Sequence, residues 1–500
     1  MLVFDNSLPS YMDRSIMMPP RFQLDTSYLR LPGAFYHQAV PSPVPNPNLV
    51  VLNHDLANRL GVSFDEMPAD KIAQLLAGNL LPEGATPLAM AYAGHQFGHF
   101  TLLGDGRAHL LGEHVAPDGS RWDLHYKGSG PTPFSRRGDG RAALGPMLRE
   151  YLISEAMHAL GIPSTRSLSV VETGATVQRE TPLKGAVLLR VAASHLRVGT
   201  FQWAAAQSKL EWIRQLMDYT IQRHYPECQE DPHPARSLLE HFMQRQIDLI
   251  VDWMRVGFIH GVMNTDNMAL SGETIDYGPC AFLEDYHPET VFSSIDRGGR
   301  YAFGNQPKVA WWNIARFAET LLPLIHEESS KAIEVAEEII GSFTSRYDQA
   351  WLGMMRRKLG LMEEDSGDLT LIQSLLEWMQ QSRADYTLTF ARLTYPEAAL
   401  PDAASEVSQS PWFDLWKARL SKEPQDWEAS KAMMESANPV LIPRNHLVEQ
   451  ALQAAESGEM GPFENLCQKL RSPYALGDLS DPCLRPALDQ ERVRHTFCGT

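Results

Sequence analysis

Between residues 100 and 200 apolar positions alternate with polar ones or run in short blocks that end at glycine or proline. Residues 100–103 and 108–113 flank Gly104-Asp105-Gly106-Arg107, which predicts strand, glycine turn, strand. A third strand is predicted at 121–127, ending in Lys127, after the Asp118-Gly119 turn. Residues 142–160 read as a helix stopped by Gly161-Ile162-Pro163, and strands follow at 168–172 and 185–192. The result is a small antiparallel sheet with one helix. From Leu210 the period changes to 3.6, which predicts helices at 210–223, 237–255, 312–326, 331–359 and 368–381.

The first 88 residues lack either period. The run Pro41-Ser42-Pro43-Val44-Pro45-Asn46-Pro47 fits neither a helix nor a central strand, so this part is expected to wrap over a surface. Within it, 50–52 reads as a short strand, and 56–60 and 71–76 as short helices. The chain therefore divides into an extension (1–88), a mixed part (89–200), a helical part carrying the candidate chemistry (201–330) and further helices (331–500). No solenoid period is present, but Gly-Asp-Gly-Arg recurs at 104–107 and 138–141.

Composition places the chain among globular proteins, with 44% hydrophobic and 21% charged residues. A net charge of −17 argues against nucleic acid as the main partner. Residues 101–200 run against that balance, with 12 Lys+Arg to 9 Asp+Glu, which suits an anionic ligand. The five cysteines are widely spaced without a Cys-x-x-Cys, as expected of a reducing compartment. No basic and apolar leader opens the chain, and no apolar run is long enough to span a bilayer, so a cytoplasmic protein without membrane contact is expected.

Candidate chemistry follows from order and spacing. Gly104 and Gly106 would let backbone N–H groups approach a phosphate, and Arg107 adds a cation. Lys127 closes the third strand and Glu150 sits on the next helix. A glycine loop, a strand lysine and a helix glutamate in that order form the small-lobe signature of protein kinases. Downstream, His260 and Asn267 keep the seven-residue kinase spacing, and Asp276-Tyr277-Gly278 stands where kinases carry Asp-Phe-Gly. The kinase catalytic aspartate, however, is replaced by Val262, which accepts no proton. Asp266 is the nearest remaining carboxylate and the candidate proton acceptor. If Ser271-Gly272 formed a two-residue hairpin turn, Asn267 would face Asp276 across the ladder, and the pair could share Mg²⁺. Arg190, set among apolar strand residues, needs an anion, and with Arg197, Arg107 and Lys127 it makes a cationic set. Nucleotidyl transfer expels pyrophosphate and would gain from such cations. His95 and His99 have a zinc-compatible spacing but lack the zincin glutamate, and a structural role is expected.

These features together resemble the selenoprotein O family of pseudokinase protein adenylyltransferases. The matching stretches are residues 93–98, the first Gly-Asp-Gly-Arg, 127–141, 263–268, Asp276-Tyr277-Gly278-Pro279, and Asn305-Gln306-Pro307 with Trp312-Asn313. The resemblance implies an α+β, two-lobed, protein-kinase-like fold with an N-terminal extension and extra C-terminal helices. It implies transfer of AMP from ATP, bound in a flipped orientation, to Ser, Thr or Tyr hydroxyls of proteins. Carried over residue by residue, Gly104, Gly106, Arg107, Lys127, Asp139, Gly140, Arg190, Arg197 and Asp276 would contact ATP. Asn267 and Asp276 would hold Mg²⁺ or Mn²⁺, Asp266 would take the proton, and Lys127 would pair with Glu150. The partners implied are ATP and protein substrates; a monomer is expected. A phosphotransferase using Asp266 and a non-catalytic ATP-binding scaffold are the alternatives. Selenocysteine-bearing members carry that residue near the C-terminus, where this chain has Cys498.

Overall fold

The computed structural model describes residues 22–497, so Cys498 lies outside the described residues. Its centre is a nine-stranded antiparallel sheet. Seven strands run in the order Tyr36–Gln38, Leu88–Met90, Ala108–Val115, Arg121–Lys127, Pro182–Ala192, Arg166–Gln178 and Asn48–Leu52. Leu24–Asp25 adds beside Ala108–Val115, and Ala142–Ala143 beside Pro182–Ala192. The predicted strands of the mixed part are present, longer than expected at 166–178. Residues before 88 do more than wrap. They add strands, because a proline-interrupted chain can still pair at a sheet edge.

Alternation sorts the strand residues between two cores. Leu124, Tyr126, Leu189 and Val191 face a smaller core closed by the helices His54–Leu60 and Ala69–Leu76. Leu110 and Leu188 face the larger core, shared with the helix Leu144–Ala159 and continuous with the helical part. His125 lies opposite Arg190, and Lys127 opposite Leu188. This register puts His125, Lys127 and Arg190 on the face toward that helix.

Two turns differ from expectation. Residues 99–102 do not pair across Gly104-Asp105-Gly106-Arg107. They fold back on Ala93–Gln96 as a separate hairpin, His95 opposite Phe100. Phe97 and Gly98 both have positive φ (51° and 88°), the geometry of a tight two-residue hairpin turn. Nor does Ser271-Gly272 close a ladder. Ala269 bridges to Arg197 and Thr274 to Ser164, and the turn bond runs from the Gly272 N–H to the Ala269 carbonyl. Each strand-like segment finds a different partner, so the predicted register between Asn267 and Asp276 does not exist.

The helical part holds Leu210–His224, Pro234–Val256 and Gln306–Ile325 as predicted. The helix expected at 331–359 is broken into Ser329–Gly341 and Phe343–Lys358, at Gly341-Ser342. Asn445–Ser457 returns to lie along Leu144–Ala159, where Glu449 accepts from Arg149 at 2.8 Å. No helix among the described residues is long and apolar enough to cross a membrane.

Candidate active site

The sheet face, the helix Leu144–Ala159 and the loop around residues 262–279 enclose a cavity of about 370 Å³. It is lined by Gly106, Arg107, Lys127, Glu150, Arg190, Arg197, Asp266, Asn267 and Asp276 among others. Each of these is a candidate from the sequence, Arg190 by its apolar strand setting and not by spacing. Gly104, Asp139 and Gly140 do not line it. Gly104 packs on the Phe134 ring, and Gly140 on the Gly130–Pro131 backbone. Asp139 is half exposed and paired with Arg179 at 2.9 Å.

Lys127 ends its strand with Nζ 2.5 Å from Glu150 Oε2 and 2.6 Å from Asp276 Oδ1. Glu150 is fixed through its neighbour. Arg149 donates to the carbonyls of Gly278 (3.1 Å) and Cys280 (2.6 Å), tying the helix to the segment that follows Asp276. Asp276 itself has φ +62°, the left-handed conformation that aspartate adopts more readily than most L residues. Arg190 reaches its Oδ1 at 2.6 Å and Arg197 its Oδ2 at 3.1 Å. Three cations around one carboxylate hold its pKa well below the usual range despite burial.

Asp266 is in the opposite situation. Burial pushes its pKa up to about 6, against the pull of Arg197. Its Oδ1 is buried with no hydrogen-bond partner among the described residues. Gly94 of the hairpin leaves the room it occupies, since a Cβ at Gly94 would lie 2.2 Å from that oxygen. The hairpin is pinned over the loop by His95 N–H to Thr265 Oγ1 (2.7 Å) and Phe97 N–H to Asn264 Oδ1 (3.1 Å). His95 thus has a packing task, its ring lying between Phe100 and Trp312 at 5.3 Å from each.

Asn267 donates its amide to the Val262 carbonyl at 2.9 Å, which keeps its oxygen as the atom available to a ligand. His260 accepts from the Val262 N–H at 3.3 Å and bonds the Ile275 carbonyl at 2.9 Å. That bridge, not a hairpin, brings Asn267 and Asp276 to one cavity. The donor set is one amide oxygen and one carboxylate, which suits a hard divalent cation completed by phosphate and water.

Several residues around the site were not singled out by sequence. Tyr92 lies under the Arg197 guanidinium at 4.6 Å, and His125 and His195 both contact Arg190. The only prior signal was their closeness in sequence to Lys127, Arg190 and Gly94.

The architecture is α+β, with a strand lysine, a helix glutamate, an asparagine and an Asp-x-Gly aspartate in the order of a protein kinase. The kinase proton acceptor is absent, and three cations converge on the Asp276 carboxylate. Together these make a cation-rich site with its residues in the order of a protein kinase. The chain belongs to the family described as protein adenylyltransferase SelO, which matches residues 21–471. Among curated relatives, the protein nucleotidyltransferase YdiU of Nitrosococcus oceani is 55% identical over 480 residues, covering 96% of this chain and 97% of its own. The protein of the same name from Brevibacillus brevis is 53% identical over 491 residues, covering 98% and 100%. The structure of ROP2 from Toxoplasma gondii, described as having a protein-kinase fold and no enzymatic activity, covers 67% of this chain and 86% of its own at 11% identity. Its TM-score of 0.24 is too low to bear on the fold.

Proposed function

We propose that this chain is a nucleotidyltransferase that moves AMP from ATP to Ser, Thr or Tyr hydroxyls of proteins and releases pyrophosphate. The observation that carries this is the convergence of Lys127, Arg190 and Arg197 on one point of the cavity that Asp266 also lines. In the proposed reaction the acceptor oxygen bonds to the α-phosphorus and the bond to the β-phosphate bridge oxygen breaks. Asp266 takes the hydroxyl proton, for which its raised pKa suits it. The three cations, with Arg107, stabilise the charge developing on the departing pyrophosphate. A kinase leaves its terminal phosphate free to react; a cation set gripping the β- and γ-phosphates favours the α-phosphorus instead.

Gly104 and Gly106 are proposed to shape the turn that meets the nucleotide. Thr132 Oγ1 donates to the Asp105 carbonyl at 2.5 Å, so the loop that carries Asp139 and Gly140 borders the same turn. Asn267 and Asp276 are the residues proposed to hold Mg²⁺ or Mn²⁺, which when bound supplies positive charge to the phosphates. Four free cysteines among the described residues fit a cytoplasmic setting.

Incubation with a protein mixture and ATP labelled at the α- or the γ-phosphate tests the proposal. Protein-bound label from the α-position alone is expected. Label from the γ-position alone would make the chain a phosphotransferase, and label from neither a scaffold.

A further inference from the structure

Arg190 is almost fully buried, 2% exposed, and its donors are held by an unusual set of partners. Its Nε donates to His195 Nε2 at 3.1 Å, and its Nη2 to His125 Nδ1 at 3.2 Å. Its Nη1 alone faces carboxylates, Asp276 at 2.6 Å and Glu150 at 3.3 Å. Each histidine is backed by an acid. His125 Nε2 lies 3.1 Å from Asp105 Oδ2, and His195 Nδ1 lies 3.1 Å from Asp123 Oδ2. The Asp123 carboxylate also accepts the His195 backbone N–H at 2.8 Å and a guanidinium bond from Arg223 at 2.6 Å. The two imidazoles stack with centroids 4.1 Å apart.

A guanidinium only donates, so the ring nitrogen facing it must carry a lone pair. The acid behind each ring takes the proton of the other nitrogen and fixes the tautomer. Both rings are therefore neutral acceptors, and burial beside Arg190 and Arg197 lowers the pKa of both. A neutral acceptor holds a guanidinium without cancelling its charge, as a carboxylate would.

We propose that His125 and His195 are positioning residues for nucleotide binding: they lock Arg190 in one orientation toward the β- and γ-phosphates without adding negative charge to that of Asp276 and Glu150. This rests on the function proposed above. It goes beyond it in assigning a task to two histidines and the two aspartates behind them.

The test compares the dissociation constants of α,β-methylene-ATP and of AMP for the full chain by calorimetry. His195→Leu is expected to weaken the analogue at least tenfold and AMP by less than twofold. His195→Gln and His125→Asn, which retain an acceptor near the original nitrogen, should stay within threefold of wild type for both. A purely structural role would move both ligands together. An unchanged analogue affinity in His195→Leu, or equal losses for the two ligands, overturns the proposal. Should His195→Leu not fold, His195→Glu against His195→Gln decides. The glutamate adds a third carboxylate to Arg190 and should bind the analogue about tenfold more weakly; equal affinities overturn the proposal. Wild-type α-label transfer with an unaffected His195→Leu would sink the histidine assignment alone. The predicted affinity pattern without any α-label transfer would sink the transferase reading alone.

Discussion

Replacing Gly94 with alanine isolates the contribution of Asp266 from that of the phosphate cations. A Cβ at this position would lie 2.2 Å from Asp266 Oδ1, 2.8 Å from its Cγ and 3.0 Å from its Cβ. Ordinary contact begins near 3.4 Å, so the carboxylate must retreat by about 1.2 Å or the hairpin must lift by as much. Gly94 does not sit at positive φ, so alanine costs nothing in backbone strain there. A displacement of about 1 Å at a reacting group costs on the order of 100-fold in rate. The expected result is therefore a kcat about 100-fold lower, measured as α-label transfer under saturating ATP. Nucleotide affinity should stay within threefold, because Lys127, Arg190 and Arg197 are untouched. Overpacking is expected to destabilise the fold by about 1–3 kcal/mol, seen as a small loss in thermal melts. A variant that keeps more than a third of the wild-type kcat would refute the placement of Asp266 as the proton acceptor. So would a loss matched by an equal loss of nucleotide binding.

Glu150→Gln should raise the KM for ATP about tenfold, since the amide turns an N–H toward Lys127 or Arg190, and hydrogen bonds to charged groups contribute about 1.5–3 kcal/mol; an unchanged KM would show that Lys127 needs no anchor. Glu273 accepts from the Ala193 N–H and from Ser271 Oγ in a buried site that pushes its pKa up to about 7. The folded chain then keeps a proton that the unfolded chain releases above its ordinary value of 4.5, so stability falls as pH rises between 4.5 and 7. The loss is about 3 kcal/mol at most, and Glu273→Gln should remove it. Urea unfolding of both chains at pH 5 and pH 8 measures the difference, and identical pH slopes would exclude the effect.

What was legible in the sequence was whatever local order encodes. Lys127 at a strand end and Glu150 on the next helix needed only two correct elements, and the structure joins them at 2.5 Å. The seven-residue spacing from His260 to Asn267 likewise survives, because one tight loop carries both. Asp266 was reached by elimination once Val262 was seen to hold no proton. The hairpin route to Asn267 and Asp276 failed although both residues reach the cavity. Short segments choose partners by tertiary fit, and Arg197 and Ser164 outcompeted the local ladder. His125 and His195 were invisible for a related reason. Their meaning depends on register between strands 65 residues apart, on Asp105 from a further segment, and on Asp123 reaching from the His125 strand to His195. The brace of Glu449 on Arg149, 300 residues away, leaves no trace in any local pattern.

The strand order of the large sheet bears on how this chain is made. Both flanks, Tyr36–Gln38 and Asn48–Leu52, come from one short early stretch, while the middle is supplied as late as residue 192. Tyr36–Gln38 thus has no partner until Leu88–Met90, about 50 residues later, and Asn48–Leu52 none until Arg166–Gln178, about 120 residues later. Such long-range pairing is slow, and the waiting segments are exposed to association with other chains. The prolines at 41, 43, 45 and 47 lie between the two flanking strands and disfavour premature ladder formation there. A chain begun after residue 52 would leave the strands Leu88–Met90 and Arg166–Gln178 bare on opposite sides, and it is the truncation most prone to aggregate on expression.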